Sequence, residues 1–476
     1  MSQPSVNITT SDGGLGVLPS TGVKPLAVVG VSSIGTANVP ATFTRVASLV
    51  AAAGEGPGVR DAARAIKLGI PVVFVKTAAA TNVGAYGTPV DGITGTSDVT
   101  FDDDVEPFDD YDFIFEVTTG GTIGTSASYR YSLDGGASYS PITALGTANN
   151  VTLAGNIKLE FGAGTLVTGD TISVRTSAPR WDDTELLAAL NALKASVVNW
   201  GIVSIVGDCS ATSAGVIETW IQGLDAAKKY RSYIASARLP TVGESEATYL
   251  STLSTAFTSF TTTHGAICAG ACDMVDSING KTYRRPIQAA VAARLAAVSE
   301  EIDIASIEDG RALAGVSLYD SNGNPKHHDE SLNPGLDDAR FLTLRTWDQE
   351  PGVFVNNPRL MSSPTSDFRY LQHRRVMNLE LETVDAFMRR RLSKPVVVKA
   401  ATGTIMETEA AEIESGLYAA SSSAVLAKPK ASSVSVALSR TDNVLQTETL
   451  TLDVGMQPLG YPKTITATVG FAATTA

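Results

Sequence analysis

The stretch LAVVGV at residues 26–31 is a continuous apolar run, which is typical of a β-strand that is covered on both faces. A helix-compatible segment follows at 60–66, and Gly69 stands where that helix should end. The next run, at 71–75, is again apolar and rich in valine. A strand, a helix and a strand in this order predict a βαβ unit.

The same alternation resumes after Pro179, where Asp182 or Asp183 is suited to cap a helix. The predicted strands are 202–206, 233–235, 266–269 and 352–355, and the predicted helices are 186–197, 216–229, 250–260 and 286–301, the last with Pro286 as its first residue. This pattern predicts an α/β fold with a largely parallel sheet flanked by helices. We assign 25–92 and 181–399 to this core domain.

Residues 93–180 have a different sequence pattern from the α/β segments on either side. Short alternating runs are separated by turn clusters, such as the hairpin signal Asp134-Gly135-Gly136, and no helical period occurs. Acidic residues also far outnumber basic ones in this range. We therefore predict an inserted, acidic, all-β domain within the α/β core.

Both ends of the chain alternate between apolar and polar residues without enough apolar side chains for a core. Residues 1–24 form a predicted extended arm that contains Val6 and Ile8. Residues 400–445 form a predicted C-terminal β/α segment, and 446–476 return to β alternation. The alternating apolar positions of this last segment are Leu450, Leu452, Val454, Ile465 and Val469.

The composition excludes several classes of function. The chain has 476 residues and a net charge of −13, so it needs more than one domain and the whole molecule is not expected to bind nucleic acid. The amino terminus lacks the basic start and apolar core of a signal peptide, and no uninterrupted apolar stretch of about 20 residues predicts a membrane span. We expect assembly in the cytoplasm, and the many small residues suit burial against further copies of the chain.

The sequence contains no set of residues typical of a catalytic site. The glycine-rich stretch at 54–58 lacks the Lys-Ser/Thr pair of a phosphate loop, and neither GxSxG nor HExxH occurs. The polar group at 327–330, His-His-Asp-Glu, is predicted as a solvated loop, with a metal site as the alternative. His264 and His373 are predicted as structural histidines, and Glu300 and Glu301 as solvated residues at a helix end. We therefore predict no enzyme activity, no metal and no cofactor.

The three cysteines, Cys209, Cys268 and Cys272, form no CxxC pair. They are predicted as reduced, half-buried thiols. Cys268 and Cys272 are four residues apart, which on a strand separates their Cα atoms by roughly 13 Å, beyond the reach of a disulfide. The odd number leaves a pairing between subunits open.

A predicted long helix at about 367–392 concentrates positive charge in an otherwise acidic chain. Its arginines are Arg369, Arg374, Arg375, Arg389, Arg390 and Arg391. One interpretation is a solvated helix with i,i+4 ion pairs to the acidic residues between them. The other is a surface that docks onto an acidic partner.

Three stretches together resemble the contractile tail sheath family of phages and related injection systems. They are KPLAVVGVSSIGTANVPATFTRVASLVAAAGEG with GIPVVFVKTA (24–56 and 69–78), PGVFVNNPRLMSSPTSDFRYLQHRRVMN (351–378) and LTLDVGMQPLGYPKTITATVGF (450–471). Their order and spacing carry the resemblance, which covers both ends and the α/β core. Asn357-Pro358 and the Ser/Pro turn at 361–366 depart from the usual pattern.

The resemblance implies a structural subunit that polymerises as stacked rings around an inner tail tube and contracts to drive that tube through a cell envelope. It implies that the terminal strands, with Val6, Ile8, Leu450, Leu452, Val454, Ile465 and Val469, add to sheets of neighbouring subunits. The six arginines would face the tube, and the inserted domain would lie on the outside. Baseplate and tail terminator proteins would be further partners, in a virion tail assembled in the host cytoplasm.

Released virions are exposed to oxidising surroundings, in which disulfides persist. The alternative to three reduced thiols is therefore a set of disulfides between subunits, which would pair Cys209 with Cys268 or Cys272 and brace the extended sheath. Two other classes stay open: an α/β enzyme with a β accessory domain, and a surface array protein, which needs an export signal. The sequence also leaves open whether the machine is a phage, a bacteriocin or a host-encoded injector.

Overall fold

The computed structural model describes residues 24–241 and 243–470, which form two compact units. Unit 1 contains the described residues up to Ser299 together with Ile304–Leu371, and unit 2 contains Glu300–Asp303 and the described residues from Gln372 onward. Val6 and Ile8 of the predicted arm lie outside the described residues. No described helix is both long enough and apolar enough to cross a bilayer.

Unit 1 begins with the predicted βαβ unit. Its elements are β1 (Leu26–Gly30), β2 (Ala41–Phe43), α1 (Val46–Ala53), α2 (Pro57–Lys67) and β3 (Val72–Lys76). β1 and β3 pair in parallel, and β2 pairs with β3 in the antiparallel direction. Helix α2 lies close to β1 because Gly30 and Gly58 face each other: a Cβ atom on Gly30 would be 3.1 Å from the Cα atom of Gly58.

The next part of unit 1 contains only strands. They are β4 (Ala85–Tyr86), β5 (Val90–Gly92), β6 (Val99–Phe101), β7 (Asp112–Thr119), β8 (Gly121–Thr122), β9 (Ser128–Ser132), β10 (Thr143–Ala144), β11 (Asn150–Leu153), β12 (Ile157–Phe161), β13 (Thr165–Leu166) and β14 (Thr171–Ser177). The described ladders between them are antiparallel, and strand β7 alternates as predicted, with Phe113, Phe115 and Val117 buried. Two strands that precede residue 93, β4 and β5, also pair with β14.

The chain then returns to alternating helices and strands. These are α3 (Asp183–Ala195), β15 (Ile202–Asp208), α4 (Ala211–Ala226), β16 (Ser232–Ser236), α5 (Glu246–Ala256), β17 (Gly265–Cys268), β18 (Ala271–Val275), β19 (Thr282–Pro286), α6 (Gln288–Ala297), β20 (Val316–Ser317), β21 (Leu344–Trp347) and β22 (Glu350–Val355). The central sheet has the order β17-β16-β15-β1-β3-β2 and is parallel except for β2, which confirms the largely parallel α/β sheet. Asp182 caps α3 in a capping box with Glu185.

Side chains of β1 point alternately into two hydrophobic cores. Leu26 and Val28 pack with residues of α1, α2 and α6, whereas Ala27 and Val29 pack with residues of α3, α4 and α5. Helices therefore cover both faces of the sheet, which explains the uninterrupted apolar run at 26–31.

The prediction for Pro286 was wrong. Pro286 ends strand β19, where it lies opposite Ala271 of β18, and α6 begins two residues later at Gln288. Proline is accepted at the end of a strand as readily as in the first turn of a helix, so the residue type alone did not decide between them.

Unit 2 contains most of the C-terminal region. Its elements are α7 (Leu371–Arg389, within the unit from Gln372), α8 (Glu407–Ser421), a π-helical turn (Ser422–Leu426), β23 (Ala431–Leu438), α9 (Val444–Thr447) and β24 (Leu452–Pro458). Strands β23 and β24 form an antiparallel two-stranded sheet.

A buried group of charges connects the all-β part of unit 1 to its α/β part. Asp109, which precedes β7, is fully buried and forms ion pairs with Arg60 of α2 and Arg285 of β19. Arg60 also pairs with Asp276 and donates to the Tyr111 hydroxyl over 3.2 Å. Burial by itself raises the pKa of Asp109, but the charges of Arg285 and Arg60 outweigh it, so the pKa lies below its usual value.

Asp61, the neighbour of Arg60 on α2, shows the opposite balance. Burial raises its pKa from 3.8 to about 7, although the charges of Arg285 and Arg64 act against this rise. The folded chain therefore holds a proton on Asp61 that the unfolded chain releases from about pH 4 upward. Because the unfolded state binds fewer protons in this interval, stability falls as the pH rises from about 4 to 7.

We predict that Asp61→Asn, which keeps the shape of the side chain without its charge, removes this loss. The free energy of unfolding of the variant should exceed that of the parent chain at pH 7.5, by on the order of 1–4 kcal/mol, and match it near pH 4. Urea unfolding at several pH values measures the difference. The control Asp103→Asn changes an exposed carboxylate and should leave the pH profile unaltered. A variant less stable than the parent at pH 7.5 would contradict the prediction.

Candidate functional site

The sheet formed by β23 and β24 in unit 2 is partly exposed. Val434 pairs with Met456 and Val436 with Val454, and within the described residues neither strand pairs with a third strand. Val434 is buried next to Val376 and Val425, whereas the serines between the apolar positions of β23 are exposed. One face of the sheet thus packs on the unit, and both edges keep backbone groups available for further pairing.

Arg440 fixes the end of β23 on helix α8. Its guanidinium donates to Glu407 and Glu414 over 2.8–2.9 Å, and Glu414 also accepts from the Leu438 backbone N–H at 2.7 Å. These bonds lower the pKa of Glu414 to about 2, with the hydrogen bond from Arg440 as the largest cause. These bonds hold the end of β23 against α8.

Only some of the predicted terminal strand residues lie in a strand of the structure. Leu452 and Val454 lie in β24 and pair with Leu438 and Val436 of the same chain, whereas Leu450 precedes the strand and is partly buried. Ile465 and Val469 belong to no strand and are 81% and 93% exposed. Residues 464–470 therefore have a strand-like sequence and no partner within the described chain.

The predicted basic stretch does not form one surface. Arg369 is exposed in unit 1, whereas Arg374 and Arg375 are buried in unit 2, with 5% and 7% of their surface exposed. Burial lowers the pKa of Arg375 to about 10, although Glu300, Glu301 and Tyr461 favour its charged form. Buried arginines in the isolated chain do not offer a docking surface, so Arg374 and Arg375 are corrected to structural residues.

The last turn of α7 keeps its positive charge at the surface. Arg389 pairs with Asp385 one turn earlier, and Arg391 pairs with Glu412 at 3.1 Å. Arg390 is exposed, and its backbone N–H donates to the Phe387 carbonyl. We call Arg389–Arg391 and the exposed Lys394 the basic patch.

The three thiols are more deeply buried than predicted. Cys209 is 2% exposed, Cys268 and Cys272 are 0% exposed, and all three are free. Burial raises the pKa of each thiol, that of Cys272 to about 12, so the reactive thiolate is scarce at neutral pH. A disulfide between subunits requires a thiol at the surface, and this burial speaks against the pairing that the sequence suggested.

The polar group at 327–330 is buried, and the prediction of a solvated loop was wrong. All four residues are less than 8% exposed. His328 bonds Glu330 at 2.8 Å, Glu330 accepts from two backbone N–H groups, and Asp329 accepts from the Thr346 hydroxyl at 2.7 Å. Among the described residues, no group of three or more His, Cys, Asp or Glu side chains is placed to hold a metal ion. The group serves to hold its own loop in place.

His264 has the structural surroundings that the sequence suggested. Its two ring nitrogens lie 2.8 Å from Glu218 and 2.9 Å from Asp225, both on α4. Glu300, in contrast, does not lie at the end of a helix, because α6 ends at Ala297. It pairs with Lys430 within unit 2.

A cleft of about 780 Å³ in unit 1 is the place where an enzyme site would be expected. Burial raises the pKa of Asp110 and Asp273 at its wall. However, several of its arginines are already paired, Arg175 with Asp112 and Arg180 with Asp208 among them. Its described lining contains neither histidine nor cysteine.

Comparison with known proteins gives the family. A family model described as "DUF2586, N-terminal domain" matches residues 3–359, which is most of the chain. The protein is thus an α/β chain with an additional small C-terminal unit, and it belongs to the DUF2586 family. No curated protein is significantly similar to it.

Comparison with solved structures finds several similar chains. A sheath tail protein from Listeria innocua is 12% identical, with 92% of each chain covered and a TM-score of 0.48, and one from Desulfitobacterium hafniense is 11% identical, with 96% of this chain and 100% of that chain covered and a TM-score of 0.46. The contracted baseplate of the anti-feeding prophage contains a chain with 13% identity, 99% and 98% coverage and a TM-score of 0.48. By their titles these are sheath and contractile-system structures, the family that the sequence resembles.

We predict that the native protein runs as a single monomer band in non-reducing gel electrophoresis, because all three thiols are buried. Alkylation with a maleimide should modify none of them at neutral pH within minutes and all three after unfolding in guanidinium. A ladder of bands that collapses with reductant in assembled particles would instead support the disulfides between subunits.

Proposed function

We propose that the protein is the structural subunit of a contractile tail sheath, which polymerises around an inner tail tube and contracts to drive the tube through a target envelope. The observation that carries this proposal is the open sheet of β23 and β24 followed by an exposed, strand-like tail. The sequence resemblance to tail sheaths agrees with it.

The open sheet needs further strands. A two-stranded sheet is marginal in water, and unpaired edges recruit strands from other chains. The residues that continue the chain supply such a strand, since apolar Ile465, Ala467 and Val469 alternate with threonines. Strand addition from one copy to the next repeats without closing on itself and builds a polymer.

Contraction is then a rearrangement of folded subunits that stay joined by their strands. The two cores on either side of the central sheet favour rigid-body motion of the α/β part as a whole. If the extended polymer is trapped in a metastable state at assembly, its relaxation supplies the work and no nucleotide is required.

The basic patch is the part of the chain that we assign to the tail tube. Its exposed charges would set the register on an acidic tube surface. Arg369 is exposed as well, whereas Arg374 and Arg375 no longer belong to this proposal. The further partners that we propose are baseplate and tail terminator proteins, in a virion tail that is assembled in the host cytoplasm.

We predict that Ile465→Asp combined with Val469→Asp abolishes polymerisation and leaves the monomer folded. Both side chains are exposed, so the free energy of unfolding should change by no more than about 0.5 kcal/mol. In the polymer they would cover the core side of a neighbour's sheet, where a carboxylate is costly. Negative-stain electron microscopy should show hollow tubes for the parent chain and none for the variant.

The matched control is Thr464→Asp combined with Thr468→Asp, which adds the same charge to the opposite face of the strand. This control should still form tubes. Tubes from the Ile465/Val469 variant, or equal loss in both variants, would contradict the strand model of assembly.

We predict that Arg390→Glu combined with Lys394→Glu reduces assembly of the sheath on its tube at least tenfold. Reversed charges on the basic patch would repel an acidic tube, whereas polymers without a tube should form as before. Co-expression with the tube protein, followed by sedimentation of the particles, measures the assembled fraction.

Arg45→Glu combined with Lys67→Glu makes the same charge change in unit 1 and serves as control. It should assemble normally. Normal assembly of the Arg390/Lys394 variant would show that the tube contact lies elsewhere.

A further inference from the structure

The C-terminal tail is fastened to unit 2 at one place between the end of β24 and the exposed residues 464–470. The Tyr461 hydroxyl donates to the backbone carbonyl of Glu301 over 2.6 Å, and the Lys463 ammonium forms an ion pair with Asp303. These contacts join parts of the chain that are 160 residues apart. The tail therefore does not leave the unit directly at the end of its strand.

The Tyr461 contact is partly buried, and in the ion pair the carboxylate of Asp303 is more sheltered than the ammonium of Lys463. The Tyr461 ring lies against His373 with centroids 5.5 Å apart, and burial, followed by the charges of Asp303 and Glu301, raises the pKa of Tyr461 to about 12. The Asp303 side chain is 10% exposed and also accepts from Gln372 at 3.0 Å. An ion pair whose carboxylate is partly shielded from water and already oriented holds more firmly than a pair with both groups at the open surface.

The segment Glu300–Asp303, which receives the tail, is itself held by other elements of unit 2. Lys430, just before β23, pairs with Glu300, and the carboxylates of Glu300 and Glu301 favour the charged form of the buried Arg375 of α7. The segment thus connects α7, the start of β23 and the tail.

We propose that Glu300–Asp303 is the anchor of the C-terminal tail and that Tyr461 and Lys463 fix the point from which residues 464–470 reach a neighbouring subunit. The inference rests on the proposed sheath function, which it deepens by naming the residues that position the linking strand. Tyr461 and Lys463 are positioning residues, since they hold the strand without belonging to it.

The anchor has a mechanical consequence. A pull on a strand from its end breaks the ladder hydrogen bonds one after another, so an unanchored tail would peel β24 away from β23. With the tail held at Glu300–Asp303, the load falls on the anchor first. The chain enters this segment from Ser299 and leaves it at Ile304, both in unit 1, so the load continues along the covalent backbone.

The test uses Tyr461→Phe combined with Lys463→Ala in the full chain. A nitroxide label at position 466, introduced by Thr466→Cys, reports the mobility of the tail, because the native thiols are buried. In the monomer the rotational correlation time of the label should shorten about twofold. The mass of tubes formed should fall at least tenfold, with unchanged thermal unfolding.

Two further variants are needed. Tyr418→Phe combined with Lys428→Ala makes the same chemical changes at exposed positions of unit 2 and should alter neither quantity. The exchange of Asp303→Lys with Lys463→Asp restores the ion pair in reverse and should recover both tail mobility and tubes when Tyr461 is kept.

Label mobility and tube formation together test whether Glu300–Asp303 is the anchor of the tail. Unchanged label mobility would show that Glu300–Asp303 does not hold the tail, and faster motion with normal tubes would show that the exit point does not govern assembly. Either result overturns the anchor and leaves the sheath function standing. If the parent chain forms no tubes, the sheath function fails, and the label mobility still decides whether the anchor exists.

Discussion

Strand β1 is apolar on both faces, and this constraint organises unit 1. A strand of this kind is stable only when helices cover the sheet from both sides, because either face would otherwise be exposed to water. The side chains of α1, α2 and α6 cover one face of the sheet, and those of α3, α4 and α5 cover the other. Gly30 and Gly58 allow α2 to lie close to β1, since a side chain at either position would collide with the facing backbone.

Buried ion pairs attach the all-β part of unit 1 to its α/β part. Asp109 is withdrawn from water and is stable there because Arg60 and Arg285 both bind it. Removal of one partner from such a group leaves an uncompensated buried charge, which costs about 3–5 kcal/mol. Arg60 and Arg285 come from the α/β part and Asp109 from the β part, so the group fixes the two parts to each other as one body.

Unit 2 contains a sheet and a tail that are held by side-chain contacts, and strand edges that are still open to pairing. Arg440 and the Glu300–Asp303 segment hold the sheet and the tail in place, while β23, β24 and residues 464–470 pair with no further strand within the described chain. In the proposed polymer the open strand edge of one subunit pairs with the tail of another. The fixed exit point of the tail determines which neighbour it can reach.

The sequence by itself determined the α/β class, the alternation of strands and helices that builds the central sheet, the alternation of β7, and a helix cap at Asp182 or Asp183. These features depend on local periodicity and on neighbours a few residues away, which the sequence displays directly. Only the tertiary structure decided that Arg374, Arg375, the three thiols and the 327–330 group are buried, that Pro286 ends a strand, and that Tyr461 and Lys463 meet Glu301 and Asp303. A charged or polar side chain is buried when distant parts of the chain bring it a partner, and contacts between residues more than 100 positions apart leave no periodic signal in the sequence.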